Sequence, residues 1–196
     1  MDLAAVLIGE ERMFDFCIDL LVRLVVERVA CRRMKVGVYM GRYHAIDIAR
    51  WFIHRNDEDV KNGEDEKMTL LKLLKLLCYA EGCSLALNKG SLFSEKIVAW
   101  EHGPVVEEVW RKFDDAYNLD VAASDMEGSL SGISDEDDAL LEDVYAVFGK
   151  YSALGLRNKT HAESPWLDAT HGGMRFNSEI PRQSIVKCFK ENYVKS

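Results

Sequence analysis

A mainly α fold with a short β element, an α+β domain built around one central helix, is predicted by three observations. Apolar residues recur at helical spacing in most of the chain. One such stretch, residues 70–87, is so rich in leucine that it has to be surrounded. Only LFSEKIVAW, 92–100, is short and rich enough in Val, Ile and aromatics to be a strand or an arm of a hairpin. The chain has 196 residues, 48% hydrophobic and 30% charged, enough for one domain with a real core and one appended element.

Taken in order, residues 12–30 place Asp15, Asp19, Arg23 and Glu27 four apart and leave almost all the remaining helix surface apolar. Such a helix needs cover from the main domain, a second copy of the chain or another protein. The alternative is an upstream extension of the reading frame, since Met34 and Met40 precede the first well-punctuated helix. The organisation expected is therefore an extension, 1–39, and a domain, 40–196. From Tyr43 to His54 the stripe Ala45, Ile48, Ala49, Phe52 and Ile53 marks an amphipathic helix, with DEDVKNGEDE after it as a charged loop. Thr69 caps the leucine-rich helix, whose polar surface is expected at Lys72, Lys75, Tyr79 and Glu81.

In AWEHGP, 99–104, Trp100 is expected to close the strand and Gly103-Pro104 to launch a helix with Val105, Val106, Val109, Trp110 and Phe113 inward. Nine carboxylates and no lysine or arginine lie between Asp114 and Asp138, the composition of a solvated, flexible loop. Ser134 and Asp137 start a helix with Leu140, Leu141, Val144, Tyr145 and Phe148 inward. Further helices begin near Ser152 and at Ser164-Pro165, HGGMRFN is a loop, and Ile185, Val186, Phe189 and Tyr193 mark a closing helix that carries Arg182, Lys187, Lys190 and Lys195.

A net charge of −8 disfavours a protein whose main task is gripping phosphate backbones and suits a basic protein partner. Cys17, Cys31, Cys78, Cys83 and Cys188 form no CxxC pair and read as reduced core thiols in a cytoplasmic protein. The first residues lack a basic n-region, and the charges in 12–30 interrupt any membrane span, so neither export nor insertion is expected. No phosphate loop, HExxH, dinucleotide fingerprint or nucleophile elbow is present, and no cofactor or metal site is expected. His161 with Glu163, and His102 ahead of the helix start, are the residues from which acid–base chemistry could be assembled, in a pocket lined by Trp100 and Trp166.

KLLKLLCYAEGCSLAL, LFSEKIVAWEHGPVVEEVW and YSALGLRNKTHAESPW, in that order, resemble the Panacea, or SocA-like, antitoxin domain, the family of phage-associated, GepA-like proteins. The resemblance spans roughly residues 40–195. It departs from the family pattern at Cys78, Cys83 and His102, where aromatics are more usual. It implies a small helical domain with a short sheet that neutralises a cognate toxin, encoded nearby, by binding it, and in part of the family hands that toxin to an ATP-dependent protease. The residues it singles out are Lys75, Tyr79, Trp100, His102, Gly103, Pro104, Val105, His161 and Trp166. Two other readings stand beside it: a small enzyme using His161 and Glu163, and a DNA-binding autoregulator resting on the basic closing helix. Residues 12–30 offer a surface for pairing two copies.

Overall fold

The computed structural model describes residues 40–113, 120–122 and 132–194. The expected apolar helix at 12–30, Cys17, Cys31 and most of the acidic run lie outside the described residues. Within them are seven helices and one three-stranded antiparallel sheet, in the order α1 (Ala45–Asn62), α2 (Leu70–Ala86), β1 (Ile97–Trp100), β2 (Gly103–Val106), α3 (Glu107–Lys112), α4 (Asp135–Phe148), α5 (Ala153–His161), α6 (Ser164–Thr170), β3 (Ser178–Glu179) and α7 (Arg182–Asn192). The mainly α reading with a short β element holds.

The apolar stripe of α1 faces inward as expected, but the helix runs to Asn62 rather than giving way to a loop after His54. Arg55 pairs with Asp59 one turn on, and Asn56 turns inward instead of into water. The Asn56 amide accepts from Met68 N at 2.8 Å and donates to the Glu66 carbonyl at 3.1 Å, so the polar stretch is held by tertiary bonds. Gly63, in the left-handed region, then ends the helix.

Thr69 caps α2, and the helix is covered by α1, α4, α5, α7 and β2. Lys75, Tyr79 and Glu81, expected at its surface, are buried instead. Each is given a partner inside: the Pro104 carbonyl for Lys75, Glu163 for Tyr79, and Arg182 with Ser91 and Leu92 N for Glu81. A helix enclosed on every side has no face left for solvent, so its polar residues are satisfied internally. Cys78, Cys83 and Cys188 are buried free thiols, and burial pushes the first two up to about 12.

Gly103-Pro104 does not start a helix. It opens β2, which pairs with β1 across a two-residue turn, Glu101-His102, with Trp100 opposite Gly103 and Ala99 opposite Pro104. Proline is tolerated because β2 is an edge strand in the order β2-β1-β3. The helix begins three residues later, with Glu107 and Glu108 in a first turn that favours negative charge. The strand β3 has no periodic signal. Its two residues are placed by Asn177 N to the Ala99 carbonyl and Ile180 N to the Ile97 carbonyl, both 2.8 Å.

Ser134 caps α4, and the end of the acidic run is the first turn of this helix rather than flexible loop, with Asp137 buried and Asp135, Glu136 and Asp138 exposed. Asp137 accepts from Arg42 and Tyr43, and Asp138 accepts from Trp51 Nε1 at 2.8 Å. Burial works against the Asp137 charge, but hydrogen bonds from Arg42, Tyr43 and Ser134, with the Arg42 charge, outweigh it and hold the carboxyl below the usual range. The caps at Ser152 and ahead of Ser164-Pro165 fall where expected. In α7, Ile185 and Phe189 are buried together with Tyr193 beyond its end. Arg182 belongs to no basic surface: its guanidinium points in at Glu81.

Candidate functional site

Most of the residues singled out from the sequence meet at one corner, where the β1–β2 turn rests on α2, α5 and α6. Gly103 has φ +101°, a conformation that glycine alone adopts readily. A β-carbon there would sit 2.8 Å from Lys75 Cε and 2.9 Å from Thr160 Oγ1, so α2 and α5 close on bare backbone. Lys75 comes up from the middle of α2, wholly buried, and its Nζ donates to the Pro104 carbonyl at 2.9 Å. Burial pulls its ammonium down to about 7, with Arg157 adding to the effect and Cys78 opposing it. Val105 follows in β2, fully buried opposite Val98.

His161 ends α5, four residues and one turn after Arg157. Its ring stacks on Trp166 with centroids 3.8 Å apart and planes at 10°. Its Nε2 is buried and has no hydrogen-bond partner among the described residues. Burial, then the charges of Arg157, Lys75 and His102, lower His161 to about 4, so the ring is neutral at neutral pH. Trp166 Nε1 donates to the Trp100 carbonyl at 2.9 Å and ties α6 to the end of β1. Trp100 is half-buried and packs edge-on against Trp110 at 5.4 Å.

Glu163 stands apart from this node. As N-cap of α6 it accepts from Tyr79 Oη at 3.0 Å and Tyr193 Oη at 2.5 Å, and Tyr79 stacks on Phe148 at 4.1 Å. Burial raises its carboxyl above the usual range, while the two phenols pull it partly back. The pairing of His161 with Glu163 that acid–base chemistry would use is therefore not formed: the imidazole lies on an indole and the carboxylate is held by two tyrosines. A cavity beside Glu163, lined by Cys78, Thr160 and Trp166 among others but not by His161, has a volume of about 20 Å³, room for a single water. A wider cleft of about 710 Å³, bordered by Arg55, Asp59, Lys72 and Tyr145, contains none of the nine residues.

Arg157 carried no sequence signal of its own and is recognisable only through its place one turn before His161 on α5. Thr160 precedes His161 in the motif that carries the resemblance, and Tyr193, an apolar position of the closing helix, is bonded to Glu163.

The Gly103 packing predicts a measurable asymmetry. Gly103→Ala combines left-handed strain with a steric conflict, whereas Gly63→Ala, at φ +75° with open space around it, carries strain alone. Urea denaturation should show Gly103→Ala costing about 2–5 kcal/mol and clearly more than Gly63→Ala. Equal losses would mean that the turn does not rest on Lys75 and Thr160.

Residues 73–167 match the family model described as antitoxin SocA-like, Panacea domain, just under half of the 196-residue chain. The matched span runs from within α2 through the hairpin, α3, α4 and α5 to Leu167 in α6, and so bears out the resemblance there. No curated protein and no solved structure matches the chain.

Proposed function

We propose that this chain is an antitoxin that neutralises a cognate toxin by direct binding, working in the cytoplasm. The observation that carries the reading is the SocA-like match over residues 73–167. Two features support it. Lys75, Gly103, Pro104 and Trp166 are engaged with one another or with backbone beneath the surface, which suits a scaffold. Exposed apolar side chains, Leu167, Met174 and Phe176, follow Trp166 along the chain, and Trp100 and His102 on the hairpin are half-exposed. Aromatic and apolar groups at a rim of this kind are the usual anchors of protein interfaces.

On this reading the partner is held near Trp100–Val105 and α6, and Lys75 and Tyr79 contribute from below by fixing the hairpin and the start of α6. The enzyme alternative has lost its acid–base pair, and the DNA-binding one has lost Arg182 from the basic helix. No described helix is long and apolar enough to cross a membrane.

The test is growth rescue. Induction of the neighbouring gene product alone should arrest growth, and co-expression of this chain should restore it. A neighbour that is harmless alone, or equally toxic in its presence, ends the proposal. Repeating the rescue in cells lacking each ATP-dependent protease decides the adaptor step: restored growth in all of them means that binding alone suffices.

A further inference from the structure

We propose that the loop joining α6 to β3, residues 171–177, is the prong by which this chain grips its partner protein, and that it fits an apolar groove with acidic residues at the rim. This rests on the protein-binding reading and adds where the grip lies and what chemistry it meets. Five large apolar side chains are exposed among the described residues, and three of them fall in this loop and the last turn of α6: Leu167 at 37%, Met174 at 80% and Phe176 at 40%. The other two, Met40 and Leu154, lie far from it in the chain.

The loop is held by its backbone. His171, Gly172 and Gly173 have φ of 52°, 72° and 88°, which turns the chain sharply off the end of α6. Thr170, wholly buried, then gathers it: the carbonyl accepts from Met174 N and Arg175 N, both at 2.9 Å, and the hydroxyl accepts from Gly173 N at 2.9 Å. At the far end Asn177 N donates to the Ala99 carbonyl at 2.8 Å, next to Trp100 in β1. Met174 and Phe176 are therefore fixed from both sides and still face water. A loop already ordered gives up little entropy on docking, so apolar groups held out in this way favour binding.

Charge states the chemistry of the occupant. His171 and Arg175 are exposed, and no acid lies between Asp168 and Glu179, the latter paired with Lys96 at 2.7 Å. Arg175 stands between Met174 and Phe176, so a groove that takes both apolar groups brings its rim against a guanidinium, and a carboxylate is the complementary group there. A second copy of the chain fits poorly: around a two-fold axis through the loop Arg175 meets Arg175, and three partly exposed side chains fall short of the roughly 800 Å² per partner of a stable interface. A different protein needs the prong only as an anchor, with Trp100 and His102 adding contact from the hairpin. An anionic membrane surface is disfavoured by the net charge of −8.

The experiment titrates the full chain into the purified product of the adjacent gene by calorimetry, with phosphatidylserine vesicles as a second arm. Phe176→Ala and Arg175→Glu should each weaken binding about tenfold or more, and Leu154→Ala, an exposed apolar side chain on α5, by less than about twofold. Added salt should weaken the wild-type complex more than that of Arg175→Met, a readout that a folding defect does not mimic. Prong variants that bind as tightly as wild type, an equal loss for Leu154→Ala, or tighter binding to the vesicles than to the protein would overturn the assignment. Binding by wild type and variants alike sinks the prong and leaves the antitoxin reading standing. No binding by wild type sinks that reading and the prong with it.

Discussion

Arg182→Ala is expected to cost about 3–5 kcal/mol of folding stability, the largest single loss in the molecule. The guanidinium donates from Nε to Glu81 Oε1 at 2.8 Å and to Ser91 Oγ at 3.1 Å, and from Nη2 to the Phe93 and Glu95 carbonyls at 2.8 Å each. Glu81 is wholly buried in the middle of α2, and Arg182 is mostly buried. Removing the arginine leaves a carboxylate inside the core with only Ser91 and Leu92 N as donors, and two carbonyls lose a partner. Arg182→Lys keeps the charge and loses the planar fork, so it should recover part of the loss. Chemical denaturation of both variants checks this. A change under about 1 kcal/mol for the alanine would place the pair in the class of exposed ion pairs and contradict the enclosed picture of α2.

Lys75 supplies the second large effect, and it is one of pH. Its ammonium is pulled from 10.5 to about 7 by burial, so between those values the unfolded chain binds a proton that the folded chain gives up. Stability therefore rises with pH across this window and is flat below it. The whole window corresponds to about 5 kcal/mol, of which about 2 kcal/mol fall between pH 7 and pH 9. Above 9.0 the opposite sign enters, because burial holds the Cys78 and Cys83 thiols up to about 12 while the unfolded thiols ionise. The informative comparison is thus wild type against Lys75→Met from pH 7 to 9. The wild-type stability should climb by about 2 kcal/mol more than that of the variant. Parallel curves would show that Lys75 keeps its ordinary charge in the fold, and the account of the node would fail.

Local chemistry made much of this legible in the sequence. Thr69, Ser134 and Ser152 cap helices where their spacing to the apolar stripes placed them, and the inward faces of α1 and α4 follow from the 3.6-residue period. What could not be read depends on residues far apart in the chain. The last turns of α1 look like loop until Asn56 finds Met68 and Tyr145. Gly103-Pro104 reads as a helix start, and the strand it forms instead is fixed by pairing with β1 and by Lys75, 29 positions away, donating to the Pro104 carbonyl. Lys75, Tyr79 and Glu81 look like solvent positions because their partners lie on the hairpin, α6 and α7. The corner followed the same division. The family motifs contained Lys75, Thr160, His161 and Trp166, whereas Arg157 entered only as the neighbour of His161 one turn earlier on α5.

The most direct test of the proposal that this chain is an antitoxin acting by binding is the mass of the complex. The full chain, co-expressed with the product of the adjacent gene and purified through a tag on that product, should emerge as one species of fixed stoichiometry in size-exclusion chromatography with light scattering. Two separate species, from cells in which growth has been rescued, would contradict direct binding and require that the toxin be countered by another route.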